Sequence, residues 1–308
     1  MRYLSLIAVV TLLLWQQKAL AQGCSDAGFC SIGNLTAQGQ QSTKAKQRTL
    51  KLLLPVGVGD EGVFVFAPGL EYTQTLNNRW AVQGKITFNY ASGNLGTVFG
   101  AGDVFLSGTY SLPGQKRWKP SVTLGVKLPL NQSNLEAEHR ALPMQYQSSL
   151  GTVDLIAGIS VTSVRWQFAA GYQQPLTGAN RNYFLPEYWS NPKAAFYPPS
   201  NDFNRRGDLL LRTAYSFQPI RKASLDVGLL GIYHLGKDRY INANIQNDAI
   251  AIEGSSGLTL NVTAFLRVPL SSKLELGVTG GVPLVVREVR PDGLTRRFVV
   301  APQISYSF

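Results

Sequence analysis

Histidine and cysteine are nearly absent. The 308 residues hold two of each, too few for a clustered metal or redox centre. Cys24 and Cys30 stand close together with no C-x-x-C pattern and no histidine near them. In an oxidising compartment such a pair is expected to close a small disulfide loop. His139 lies in Glu136-Ala137-Glu138-His139-Arg140, and His234 follows Tyr233. Neither sits by a serine in a pattern that activates a nucleophile. Phosphate-cradling glycine loops are also missing. The expectation is therefore no catalytic residue, no metal and no cofactor. Long apolar runs are lacking beyond residue 21, so no helix of roughly 20 apolar residues is available to cross a bilayer. Acidic residues are few, 18 against 29 Lys and Arg.

What the chain does have is alternation. In Phe298-Val299-Val300-Ala301-Pro302-Gln303-Ile304-Ser305-Tyr306-Ser307-Phe308, every second residue is large and apolar, and the residues between are mostly small or polar. Successive side chains point to opposite faces of a strand, so this is a ribbon with one greasy face. Its length suits a tilted membrane-crossing strand. The aromatics Tyr306 and Phe308 read as the C-terminal assembly signal of a bacterial outer-membrane barrel, recognised by barrel-assembly machinery.

Residues 1–21 read as an export leader: Arg2, an apolar run from Leu4 to Trp15, then Ala19-Leu20-Ala21. Removing Arg2 and Lys18 takes 29 bases to 27 against 18 acids, a net charge of +9. The basic residues are scattered singly, which argues against a nucleic-acid face. Contact with anionic lipopolysaccharide and other outer-membrane lipid, or a lumen that favours anions, fits the spread better. Residues 22–48 are polar and without period, and are read as a periplasmic segment that plugs the barrel mouth.

From residue 49 to 308 the alternation predicts an all-β, transmembrane, antiparallel up-and-down barrel of about twelve strands: 49–57, 62–75, 79–91, 101–112, 119–130, 150–162, 164–176, 207–218, 222–236, 257–269, 273–287 and 296–308. Tight links after residues 75, 112, 162, 218 and 269 alternate with mostly longer ones. Short periplasmic turns and long external loops give this parity.

The same register points Lys51, Lys85, Lys127, Arg165, Arg212, Arg267 and Arg287 into the lumen, with Glu71, Asp103, Asp154, Asp208, Asp226 and Glu275. Such a set reads as an internal ion-pair network or as a charged permeation path. Phe105, Ile156, Leu210, Leu230, Ile232 and Phe265 also point inward. They either fill a narrow barrel or form a track for a greasy solute. Asp103, Asp154 and Asp208 begin strands and are read as structural. Segment 177–206 is long for a connector. Its Tyr183, Phe184, Tyr188, Trp189, Phe196 and Tyr197 read as a gate across the mouth or as a lid packed on its neighbours.

Three patches carry a resemblance: Gly100-Ala101-Gly102-Asp103-Val104-Phe105-Leu106-Ser107-Gly108-Thr109-Tyr110, Leu124-Gly125-Val126-Lys127-Leu128-Pro129, and Gly151-Thr152-Val153-Asp154-Leu155-Ile156-Ala157-Gly158. They resemble the outer-membrane family called "MetA-pathway of phenol degradation", which is similar in turn to FadL-type fatty-acid transporters. The resemblance implies passage of small hydrophobic or aromatic solutes. Separately, a monomer or small homo-oligomer is expected. The alternative is a non-conducting barrel that is structural or binds partners.

Overall fold

The computed structural model describes residues 32–36, 47–113, 117–176, 180–220, 223–242, 248–293 and 296–308. The leader, Cys24 and Cys30 lie outside the described residues.

The described residues form one closed antiparallel sheet of twelve staves. The first stave is β1 (Arg48–Leu53) and β2 (Val56–Gly59), and the second is β3 (Phe64–Phe66) and β4 (Gly69–Thr75). Each is broken at a proline, Pro55 and Pro68, because proline has no N–H to give the ladder. The remaining staves are β5 (Trp80–Gly93), β6 (Gly96–Ser111), β7 (Lys119–Pro129), β10 (Asp154–Thr162), β11 (Trp166–Pro175), β12 (Asp208–Ile220), β13 (Ala223–His234), β16 (Gly257–Pro269), β17 (Leu274–Val285) and β18 (Arg296–Ser307). Two short hairpins stand in the loops: β8 (Glu136–Ala137) with β9 (Arg140–Ala141), and β14 (Arg239–Ile241) with β15 (Ala249–Ala251). Each stave pairs with its chain neighbours, and β1 closes the ring on β18 in the register Thr49↔Ser307 to Leu53↔Gln303. Closure leaves no edge.

The barrel is inside out. Leu124, Leu155, Ile159, Leu211, Leu229, Leu258, Leu276 and Ile304 are exposed on the outer wall. Gln83, Thr123, Gln173, Thr259, Asn261 and Gln303 are buried on the inner wall. This polarity suits hydrocarbon outside and polar groups within. An aromatic belt runs round the turn end, with Trp80 against Tyr110 at 4.8 Å, Trp166 against Tyr215 at 4.9 Å and Tyr306 stacked on Phe308 at 5.9 Å.

Two features depart from simple alternation. Residues 92–100, expected as a loop, extend the β5–β6 hairpin beyond the barrel wall, with only Asn94 and Leu95 between the strands. A bulge makes the extension possible: Gly102 and Asp103 together oppose Thr87, whose hydroxyl accepts from the Asp103 N–H at 2.9 Å. Arg165 does not point into the lumen. Strand β11 starts at Trp166, so Arg165 is an exposed turn residue and donates to the Tyr215 hydroxyl at 3.2 Å.

Leu124 sits midway along β7 and is 58% exposed. Leu124→Arg should lower folded stability by about 2–4 kcal/mol, the cost of a midplane arginine on the lipid face. Thr123→Ser, on the inner wall of the same strand, should cost under 1 kcal/mol. Urea unfolding in lipid vesicles reads both.

Candidate functional site

The lumen is the site, and three layers of residues occupy it. At the turn end, residues 32–36 lie inside the barrel as a single 3₁₀ turn. Ile32 and Leu35 are fully buried in one apolar cluster with Phe105, Ile156, Ala169, Leu210, Leu230 and Ile232. Inward glycines make room for them. A Cβ on Gly125 would come within 2.7 Å of Ile32 Cδ1, and one on Gly158 within 2.7 Å of Leu35. Gly33 itself has φ +50 and sits against Thr109 and Thr123, so no side chain fits there. Polar groups fix the turn as well. The Gly33 N–H donates to Gln83 Oε1 at 2.6 Å, Asn34 donates to Ser121 Oγ at 2.8 Å, and Gln167 donates to the Asn34 and Thr36 carbonyls, both at 3.0 Å.

Most of the wall charges are in ion pairs. Lys51 meets Glu71 at 2.8 Å. Lys127 meets Asp154 at 2.8 Å with both side chains 1% exposed or less, and also donates to Thr152. Gln173 gives Asp154 a further bond. Arg267 lies between Asp226 and Glu275, at 3.5 and 3.8 Å. Lys85 stands over the Phe105 ring, and Arg212 is buried on β12. Asp103 accepts from Ser149 at 2.6 Å. With Arg165 outside, the wall carries as many bases as acids. Buried pairs of this kind hold geometry, since removing one partner leaves an uncompensated charge. Asp103, Asp154 and Asp208 each begin or bend a strand where a loop is tied to the wall.

At the loop end a buried cluster draws on three loops. Asp208 on β12 accepts from Arg205 at 2.5 Å and lies 2.6 Å from His234 Nδ1. His234 Nε2 lies 2.8 Å from Asp238. Each ring nitrogen thus lies within hydrogen-bond reach of a carboxylate oxygen. Arg287 binds Asp292 and donates to the Ser255 carbonyl at 2.7 Å. Arg290 reaches Asp60 at 2.9 Å. The paired acids Asp208 and Asp292 hold the Arg205 guanidinium above its ordinary pKa despite burial. Burial works to raise the Asp292 carboxyl, but Arg287 and Arg205 outweigh it and leave the group well below the usual carboxylate range.

Two loops cross the mouth. Phe184 and Tyr197 are buried with Leu142 and Tyr146 against Val63, Val65, Ala91 and Leu95 of the wall. The Tyr146 and Tyr197 hydroxyls lie 3.3 Å apart. Burial raises the Tyr197 hydroxyl pKa far above its ordinary value. Trp189 donates to the Ala141 carbonyl at 2.9 Å. Tyr183, Tyr188 and Phe196 face outward. Burial and Glu136 push the Tyr183 hydroxyl up to about 12. The aromatic set therefore divides into an inward half that packs and an outward half that is exposed. Asn182 pins the crossing: its amide donates to the Ser133 and Leu142 carbonyls at 2.8 Å and its oxygen accepts from Ser200 at 2.8 Å. Between lid and wall lies a cavity of about 60 Å³ bordered by Lys85, Asp103, Phe105, Gln145 and Asp292. That is well below the ~150 Å³ that holds a benzene ring.

Asn182, Tyr146, Arg205, Asp238 and Asp292 escaped the sequence reading. They sit on segments without period, where alternation says nothing of direction. A faint signal existed in Asp238, four residues beyond His234.

No protein-family model matches the chain, so the resemblance to the phenol-degradation and FadL-type families gains no support. No curated protein matches either. Among solved structures the chain is similar to the KdgM porin (TM-score 0.45, 6% identity, 84% of this chain and 99% of that one). It is also similar to the NanC porin (TM-score 0.48, 9% identity, 83% and 98%). A third is the translocator domain of the autotransporter NalP from Neisseria meningitidis (TM-score 0.43, 9% identity, 88% and 91%). Likenesses this distant carry no argument about what the lumen does. The barrel assignment rests on the closed sheet and its inverted polarity.

The loop-end cluster predicts resistance to mild acid. Asp292 is depressed in the folded state, so its contribution is complete above the unfolded value of about 4 and is lost only as pH falls through the lower folded value. Arg205 stays charged throughout. Protection of segment 180–206 from protease should therefore not fall between pH 7 and pH 5. Cleavage that rises on mild acidification would contradict the assignment.

Proposed function

We propose that the chain is an outer-membrane channel, shut in this state by residues 32–36 and the crossing loops, that passes small apolar or aromatic solutes. The observation that carries this reading is the match between Ile32 and Leu35 and the apolar inner wall. A water-filled ion pore has no use for Phe105, Ile156, Leu210, Leu230 and Ile232 in a lumen otherwise lined by polar groups. Short apolar side chains fill that band now, and a solute of like chemistry would wet it once they leave. Insertion through the barrel-assembly machinery, with Tyr306 and Phe308 as the recognised end, and a monomer or small homo-oligomer belong to the same proposal.

A second reading is a barrel that conducts nothing and serves as an anchor or receptor. The density of buried pairs and the small size of the cavity between lid and wall favour it.

Planar-bilayer conductance and liposome swelling decide between them. The channel reading expects the intact chain to be nearly silent. Ile32→Asp with Leu35→Asp should open it, because two carboxylates cannot stay on the apolar band. The opened protein should admit aromatic and short fatty solutes faster than sugars of equal size. A folded double variant that stays silent even when Asn182→Ala is added to release the crossing loops, with no swelling for any solute, would establish the anchor reading instead.

A further inference from the structure

The excess positive charge is not spread evenly over the barrel; it gathers at one end. Take the links at the turn end in order. Leu76 to Arg79 carries Arg79, and Leu112 to Trp118 carries Lys116 and Arg117, with Lys119 next. Ser163 to Arg165 carries Arg165, the sequence between β12 and β13 is Arg221-Lys222, and Leu270 to Lys273 carries Lys273. Arg48 opens β1 at the same end. Not one of the chain's 18 acids falls in any of these links. The acids are found in the lumen and in the links of the opposite end, where Asp60, Glu61, Glu136, Glu138, Glu187, Asp238, Glu253, Glu288 and Asp292 lie, with Asp26 in the N-terminal segment.

The structure shows where these cations stand. Arg48, Arg79, Arg117, Lys119, Arg165 and Lys273 are all exposed. None of them is in an ion pair with an acid among the described residues. The acids nearest this end, Asp226 and Glu275, point inward to Arg267. The cations also stand at the level of the aromatic belt. Arg165 bonds the Tyr215 hydroxyl on the outer wall. Arg79 and Lys119 adjoin Trp80 and Trp118 in the chain, and Trp118 packs on Phe168 at 6.2 Å. Indole and phenol rings settle at the headgroup level of a bilayer. A ring of unpaired cations at that depth faces lipid headgroups.

We infer that the turn end of the barrel is a collar that binds the anionic headgroups of glycerophospholipids in the adjoining leaflet. The inference rests on the reading of the chain as an outer-membrane barrel, whose turn end lies in the periplasmic leaflet, and not on whether the lumen conducts. It moves the expected lipid contact. The charge excess suggested lipopolysaccharide, yet that lipid belongs to the leaflet at the loop end, where acids match the bases. A cation near such a surface attracts anionic lipid by about 1 kcal/mol, so several acting together enrich it severalfold. The pull falls off within a Debye length, about 10 Å at 0.1 M salt, so only lipids at the rim feel it.

The test uses the full chain in nanodiscs of phosphatidylcholine with a fifth part phosphatidylglycerol. Energy transfer from the rim tryptophans to dansyl-phosphatidylglycerol is compared with transfer to dansyl-phosphatidylcholine. In low salt the anionic probe should be enriched on the order of fivefold at the rim, falling toward parity in 0.5 M salt. The variant Arg79→Gln, Arg117→Gln, Lys119→Gln, Arg165→Gln and Lys273→Gln should lose more than half of the low-salt enrichment, with Arg48, Lys116, Arg221 and Lys222 left in place. Lys119→Arg with Lys273→Arg should keep the enrichment, which separates loss of charge from loss of fold. Parity in the intact chain would overturn the inference. So would enrichment that is undiminished in the glutamine variant, or a collar that ignores lipid and binds soluble polyglutamate. A barrel that fails to insert at all would overturn the outer-membrane reading instead.

Discussion

Inside hydrocarbon a backbone N–H or C=O has no water to turn to, and each one left unpaired costs several kcal/mol. A sheet meets that demand only by returning to its own first strand. Here the return is the seam between β1 and β18, five residue pairs from Thr49↔Ser307 to Leu53↔Gln303, continued past the Pro55 break by β2. The inverted polarity follows from it. Once the sheet is a cylinder, one face of every strand meets lipid and the other meets the lumen, and a slip of one residue would exchange the two sets.

The lumen then has to be filled or wetted. Its contents are matched to its wall with some specificity. Ile32 and Leu35 lie over Gly125 and Gly158, and polar wall residues Gln83, Ser121 and Gln167 hold the backbone of the same short turn. Above it the charged residues pair within the wall or with the loops. The cluster around Asp208, His234 and Asp292 joins β12, β13, the loops before and after them and the link between β17 and β18 into one buried unit. Conduction on this account requires a discrete rearrangement of the inner turn, since the wall itself is rigidly paired.

Alternation made the barrel legible. β16 falls at the expected residues, and the lipid and lumen faces of β16, and of β11 from Trp166 onward, hold position by position, because a period of two survives as long as one face meets lipid. Where the period breaks, reading fails. The Gly102–Asp103 bulge hid the upper half of the β5–β6 hairpin, since glycines at 93, 96, 100 and 102 look like a loop. Arg165 was misplaced because a turn has no faces. The glycines at 125 and 158 were visible as motif residues, but their use as sockets depends on a segment about ninety residues or more upstream. The mouth is still less legible: Arg290 pairs with Asp60 across 230 residues, and no local pattern records such a contact.

The seam is the direct test of the account. Thr49 and Ser307 oppose each other on the inner wall with their hydroxyls 3.0 Å apart. In a chain with Cys24→Ser and Cys30→Ser, Thr49→Cys with Ser307→Cys should oxidise to a single intramolecular disulfide in the membrane-inserted protein, and should not do so in urea. A folded protein in which these two cysteines stay reduced, or join only between molecules, would mean that the sheet does not close on itself and would contradict the account.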